Sequence, residues 1–267
     1  MSLRQRITAC MGRISWIRGR TSRVGAIAST LVCAEEKPRG VAGFLDGLRW
    51  EGLTVYDVGG DPEPDSVFFA QRVGAAGCVV VFEPSRRHCE RIESHVAAKG
   101  CRNVRVVPVG LGERRETVEF AVPSWDVSPG TSSESFTTRA RSEVGLEVSR
   151  VEINSLDDEI LSTGLPVPHF IMMDIEGMEY PALRGMQETI RAHRPRFLIE
   201  RHGSVRLEER TGDERGIVAL LESQGYRLTR INAGARAPLE SFRSGGHGYY
   251  YCEPVPSRVI YQNEAWM

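Results

Sequence analysis

Lysine is almost absent: Lys37 and Lys99 are the only two in 267 residues, and arginine carries the remaining basic charge. The net charge of −1 excludes a strong overall attraction to polyanions, so no nucleic-acid partner is expected. Cys10, Cys33, Cys78, Cys89, Cys101 and Cys252 are scattered, with no Cys-x-x-Cys pair. That excludes a short disulfide framework and reads as reduced thiols in a cytoplasmic protein. No apolar run approaches the roughly 18 residues of a membrane span. There is no internal repeat and no long low-complexity tract. The Gly-x-Gly-x-x-Gly pattern is also missing, which counts against a nicotinamide-dependent dehydrogenase. His88, His95, His169, His193 and His247 have no metal-ligand spacing and read as structural or exposed, so no metal is assigned. What is present is a 41% apolar chain, long enough for one large α/β domain and short for two.

Charge is lopsided in one place. Between Met1 and Ala34 there are arginines at 4, 6, 13, 18, 20 and 23 and no acidic residue. Leu3, Ile7, Cys10, Ile14 and Ile17 recur at 4-3-4-3 spacing, an apolar helix stripe. Residues 1–50 are therefore expected to form a basic helical extension. It would pack on the domain edge with its arginines solvated, lie on an anionic membrane surface, pair with a second subunit, or imitate a transit peptide. It lacks the continuous apolar core of a secretory signal.

From residue 51 the pattern alternates strand and helix. Strands are expected at Leu53–Val58, Cys78–Glu83, Val104–Val109, His169–Met173 and Arg196–Glu200. Helices are expected at Asp65–Val73, Ser85–Lys99 (Ser85 as N-cap, Gly100 at the end), Leu156–Ser162, Tyr180–Ala192 and Asp213–Gln224. Glu116–Val122 and Ser149–Ile153 alternate like antiparallel strands around a Ser/Gly-rich insertion at about 123–149. Late strands lie near Tyr226–Ile231 and Tyr249–Cys252. The expected fold is a Rossmann-like, mainly parallel sheet of about seven strands with helices on both faces.

Two strand ends carry the first chemical signal. Thr54-Val55-Tyr56-Asp57-Val58-Gly59-Gly60-Asp61 ends an apolar run in an acid and a glycine pair; Val79-Val80-Val81-Phe82-Glu83-Pro84 ends a second in a lone Glu. In an open parallel sheet ligands bind beyond the carboxyl ends of the strands. Asp57 would organise the turn, Gly59 and Gly60 would let main chain approach a ligand, and Glu83 would accept from ribose hydroxyls. A nucleoside-type cofactor is the reading; a plain strand-to-helix turn and a solvated Glu are the simpler ones.

Further blocks follow in order: Ser155-Leu156-Asp157-Asp158, Ile171-Met172-Met173-Asp174-Ile175-Glu176-Gly177-Met178-Glu179, and Leu198-Ile199-Glu200-Arg201-His202. With Asp57-Val58-Gly59-Gly60-Asp61 and Phe82-Glu83-Pro84, this set resembles the FkbM-type methyltransferases over roughly Leu53 to Cys252. The resemblance implies the class I fold, S-adenosylmethionine as cofactor, and methyl transfer, usually to a hydroxyl of a sugar, glycan or natural-product scaffold. It places Pro84, Val109 and Gly110 by the cofactor, and Ser132 and Ser133 of the insertion near the acceptor.

Asp174 and Glu176 would flank the meeting point of methyl and acceptor, where a carboxylate orients a hydroxyl or takes its proton. Binding Mg²⁺ or capping the next helix are competing roles. Glu200 and His202, two apart on a strand, share a face, and His202 titrates near neutrality, as a general base should. One departure stands out: Glu63 occupies a place where the family pattern has glycine. Either Asp61 and Glu63 receive the cofactor's amino group, or cofactor binding is weakened. The motif set thus leaves an O-methyltransferase and, as the alternative, a non-catalytic methyltransferase-like binding or scaffold protein.

Overall fold

The computed structural model describes residues 41–60, 65–123, 146–175, 177–201, 207–232, 235–237 and 248–256. All lie within Glu35–Met267, which clusters as one unit. Most of the expected N-terminal extension (1–40), and the core of the Ser/Gly-rich insertion (124–145), lie outside the described residues. In chain order the first elements are α1 (Ala42–Asp46), β1 (Thr54–Val58), α2 (Asp65–Val73), β2 (Cys78–Phe82), α3 (Arg86–Ala98), β3 (Val104–Val107), β4 (Gly110–Leu111) and β5 (Glu116–Pro123). They are followed by β6 (Leu146–Asn154), α4 (Leu156–Thr163), β7 (Phe170–Met173), α5 (Glu179–Arg184), α6 (Gln187–His193), β8 (Arg196–Arg201), α7 (Leu207–Ser223), β9 (Tyr226–Asn232), β10 (Ala235–Ala237) and β11 (Gly248–Pro254).

The main sheet has the order β10-β9-β11-β8-β7-β1-β2-β3. Five neighbours from β8 to β3 run parallel, whereas β11 runs against both β8 and β9. The eighth strand is the three-residue edge β10, too short to register as an alternating pattern. Every residue of β1 and β7 is buried, which is why these segments read as continuous apolar runs and not as alternating ones. Their side chains feed two cores, one on each sheet face: Tyr56, Val58, Phe82, Ile171, Met173 and Ile199 on one, Val55, Val79, Val81, Met172, Leu198 and Tyr251 on the other.

Four local readings are corrected. The third strand stops at Val107, before Pro108, which has no N–H for a ladder; Gly110 and Leu111 instead pair with Ile153 and Asn154 in a separate three-stranded sheet, β4-β6-β5. The helix expected over Tyr180–Ala192 is broken into α5 and α6. A Cβ on Gly185 would stand 1.9 Å from the Gly112 carbonyl, and the Asp157 carboxylate accepts from the Glu188 and Thr189 N–H groups, both at 2.9 Å. Tertiary docking thus supplies a new helix start in mid-pattern. Helix α7 begins earlier than expected, at Leu207. Finally, Val41, Phe44, Leu45 and Trp50 are core residues of the domain, with Trp50 packed edge-on to Phe170 at 4.9 Å and its indole N–H donating to the Leu45 carbonyl. The domain therefore takes in residues that the sequence pattern assigned to the extension.

Several ionisable groups are held neutral by this core. Burial first, then the Glu83 charge, pushes the Cys89 thiol up to about 12. Burial also lifts Cys252, Tyr56, Tyr226 and Tyr249 above their ordinary ranges. These groups lose protons more readily unfolded than folded, so the stability they favour is complete below the unfolded pKa values and declines as pH rises through them. The urea midpoint should stay level to about pH 8 and fall steadily between about pH 8.5 and 10.5. A midpoint that rises across that interval would refute the assignment.

Candidate active site

The chain order reverses direction across the sheet at β1: β2 and β3 lie to one side, β7 and β8 to the other. Such a switch point opens a crevice beyond the carboxyl ends of the strands. Val58 pairs with Phe82 and with Met173, Met173 pairs with Ile199, and Glu200 pairs with Tyr249. One residue further along each register, a single row crosses the rim: Glu83, Gly59, Asp174, Glu200, Tyr249. Residues of one row share a sheet face, here the face of Val81, Met172 and Leu198.

The row is tight at its centre. Gly59 has φ +85°, and a Cβ there would lie 1.9 Å from the Asp174 carbonyl oxygen. A Cβ on Gly60 would meet Val81 Cγ1 at 2.3 Å. The glycine pair is thus demanded first by the protein itself, which brings the ends of β1 and β7 together. Asp57 lies one residue before the end of β1. It is 3% exposed and accepts from the Ser66 hydroxyl at 2.5 Å, tying the first turn of α2 to β1.

Glu83 is 5% exposed. Its Oε1 accepts the Ser85 N–H at 2.8 Å and stands 3.4 Å from His88 Nδ1. Its second oxygen has no partner among the described residues and is not one of the buried unsatisfied atoms, which leaves it open to a ligand. Ser85 caps α3, as expected, by accepting from the His88 N–H. Pro84 and Gly110 approach each other, and a Cβ on Gly110 would meet Pro84 Cβ at 3.4 Å and Ile153 Cδ1 at 2.5 Å. Val109, half-buried, packs against the core.

On the other side of Gly59 the row is acidic. Asp174 is half-buried, and its N–H donates to the Val58 carbonyl at 2.9 Å. Glu200 is 9% exposed and Tyr249 7%. Burial, then the charge of Glu200 and a hydrogen bond to it, then Asp174 and Asp65, hold the Tyr249 phenol far above its usual range. Its hydroxyl therefore stays protonated and donates to Glu200. The sequence expectation matched Glu200 with His202; the structure gives Glu200 the cross-strand partner Tyr249. His202, Asp61, Glu63, Glu176, Ser132 and Ser133 lie outside the described residues. Tyr249, Asp65 and His88 were not anticipated at this rim. Among the described residues, no group of three or more His, Cys, Asp or Glu side chains could hold a metal ion, and no helix is long and apolar enough to cross a membrane.

Residues 56–228 match the model of the methyltransferase FkbM domain. The chain belongs to the FkbM methyltransferase family. The FkbM domain spans all five residues of the row except Tyr249, and S-adenosylmethionine is the cofactor of this class of fold. The chain is also similar to the solved methyltransferase FkbM from Methylobacillus flagellatus KT, at 18% identity and a TM-score of 0.52, covering 81% of this chain and 48% of that one. It thus spans about half the length of that relative. An S-adenosylmethionine-dependent methyltransferase from Aquifex aeolicus aligns at 15% identity and a TM-score of 0.41, covering 78% of this chain and 85% of that one. A putative rRNA-methylase from Clostridium thermocellum aligns at 10% identity and a TM-score of 0.45, covering 76% and 87%. No curated protein matches. The residues present fit a nucleoside cofactor in their chemistry: a buried acid, Glu83, with one oxygen unpartnered among the described residues, stands at the carboxyl end of β2 beside the Gly59 turn.

The closure of the FkbM domain at Gly59 separates strain from collision. Gly52 also has positive φ, +73°, but a Cβ there would meet nothing within 4 Å. Gly52→Ala should cost about 1–2 kcal/mol, the backbone strain alone. Gly59→Ala should cost more than about 3 kcal/mol, because strain adds to a main-chain collision. Equal costs in urea unfolding would contradict the close approach of β1 and β7.

Proposed function

We propose that this chain transfers the methyl group of S-adenosylmethionine to a hydroxyl oxygen of a sugar, glycan or natural-product acceptor. The observation that carries the reading is the row Glu83–Gly59–Asp174–Glu200–Tyr249, with its ribose-type acid at one end and its carboxylates at the other. The ends of β2 and β7 lie two strand spacings apart, roughly 10 Å, a separation that a nucleoside with an amino-acid arm can bridge. When bound, S-adenosylmethionine supplies an electrophilic methyl group on a sulfonium.

The chain's own residues divide the remaining work. Glu83 takes ribose hydroxyls on its open oxygen. Asp174 and Glu200 lie on the far side of Gly59, where a carboxylate can orient an acceptor hydroxyl and take its proton as the oxygen attacks. Tyr249, its phenol kept protonated, occupies one acceptor position of Glu200 and so restricts the orientation of that carboxylate. His202 is assigned as a further candidate base, Glu176, Ser132 and Ser133 as acceptor contacts, and Asp61 and Glu63 as partners of the cofactor amino group. Pro84, Val109 and Gly110 are assigned to the adenine side.

Calorimetry with S-adenosylhomocysteine separates catalyst from scaffold at the first step. Wild-type protein should bind it, and Glu83→Ala should weaken binding about 100-fold or more, the loss of two hydrogen bonds to a charged group. Glu200→Gln, three strands away, should leave this affinity within about threefold, as expected for sites without shared partners. Folded wild-type protein that binds no S-adenosylhomocysteine would favour the scaffold reading. The acceptor atom is tested with methyl-tritiated S-adenosylmethionine and a panel of glycans. Label on a hydroxyl resists mild alkali, whereas label released as methanol marks a carboxyl ester and refutes hydroxyl transfer.

A further inference from the structure

We infer that His88 is a positioning residue for ribose recognition: it holds the inner oxygen of Glu83 so that the outer one is presented to the cofactor's hydroxyls. The inference rests on the reading of Glu83 as the ribose acid.

The geometry is local and closed. His88 lies in the first turn of α3 and is 2% exposed. Its Nδ1 stands 3.4 Å from Glu83 Oε1, the same oxygen that accepts the Ser85 N–H at 2.8 Å. The His88 N–H donates to Ser85 Oγ at 3.4 Å, and the Cys89 thiol donates to the Glu83 carbonyl at 3.1 Å. The segment from 83 to 89 therefore wraps around one carboxylate. A buried acid needs compensation from donors or a cation, and His88 and the Ser85 N–H are its partners among the described residues. The Cys89 thiol, pushed upward by burial and next by the charge of Glu83, shows that the acid makes itself felt in this pocket.

With Oε1 approached from two sides, rotation of the carboxylate about its terminal torsion is restricted, and that torsion is otherwise broad. Losing His88 frees the group to turn its second oxygen away from the rim. On the ribose reading the cost should fall on the hydroxyls, the groups assigned to Glu83. A histidine that merely fills the core predicts a different result: equal loss for any ligand.

The test is a double-mutant cycle read by calorimetry, with S-adenosylhomocysteine and its 2′,3′-dideoxyribose analogue as probes. Wild-type protein should prefer the hydroxylated probe by about 100-fold or more, the loss of two hydrogen bonds to a charged group. His88→Leu, apolar and of similar bulk, should reduce that preference by about tenfold and change the dideoxy affinity by less than about twofold. His88→Asn places an amide nitrogen close to the position of Nδ1 and should retain the preference within about threefold. If His88→Leu fails to fold, His88→Gln replaces it, its donor lying further out and away from Oε1. Equal weakening of both probes by Leu or Gln, or failure of Asn to rescue, would overturn the role of His88. A wild-type protein that binds S-adenosylhomocysteine without preferring the hydroxyls would overturn the ribose reading of Glu83 itself, and the inference with it.

Discussion

The rim of this protein depends on one contact, the main chain of Gly59 against the carbonyl of Asp174. The two residues end neighbouring strands, and their closeness leaves no room for a single extra carbon. It fixes the height of β1 against β7, and through the ladders on either side it fixes Glu83 against Glu200. Chain entropy would otherwise favour divergent loops at a place where both strands turn away into helices. The apolar rows beneath, Met172 and Val81 on one face and Val58 and Met173 on the other, supply the burial that offsets that entropy.

Several acids at and near the site accept from neutral donors. Asp57 takes a serine hydroxyl, Glu83 a backbone N–H beside a histidine ring, Glu179 the Gly177 N–H, and Glu200 a phenol. The arginine ion pairs Arg72–Asp46, Arg184–Glu113, Arg191–Glu188 and Arg227–Glu253 each involve at least one substantially exposed side chain, where such pairs contribute little to stability. At Glu83 this has a functional consequence: a carboxylate fixed by an N–H keeps its charge for a ligand, whereas one locked to a guanidinium does not.

What was legible in the sequence was whatever rests on local pattern. Asp65–Val73 emerged with its bounds unchanged, because an acidic first turn and a run of buried apolar residues declare a helix by themselves. Ser85 declared its cap in the same way. The illegible parts all depend on partners remote in sequence. Nothing local to Gly185 announces a break; the neighbours that impose it are Gly112 and Asp157. Tyr249 sits in a run of three tyrosines, and only the antiparallel register of β11 on β8 decides which of them meets Glu200. His88 looked like one more helix residue because its role follows from the turn that brings α3 back over Glu83. Trp50 looked like part of an extension because its partners, Phe69 and Phe170, come from two later elements.

The glycine pair and Glu83 differ in what they say about the cofactor. A glycine pair after a first strand is usually read as room for a nucleotide, and here that reading is insufficient. Gly59 and Gly60 would be required even with no ligand, because Asp174, Ile175, Val81 and Ile92 already fill the space that a side chain would need. Their presence therefore reports on the packing of β1 against its neighbours. Glu83 is different: burying a carboxylate and leaving one of its oxygens without a partner among the described residues does nothing for the fold and carries a desolvation cost. Such an arrangement makes physical sense when an outside donor completes it. On the proposed reading, the ribose contact is therefore carried by Glu83 at the end of β2, one strand away from the turn that contains Glu63.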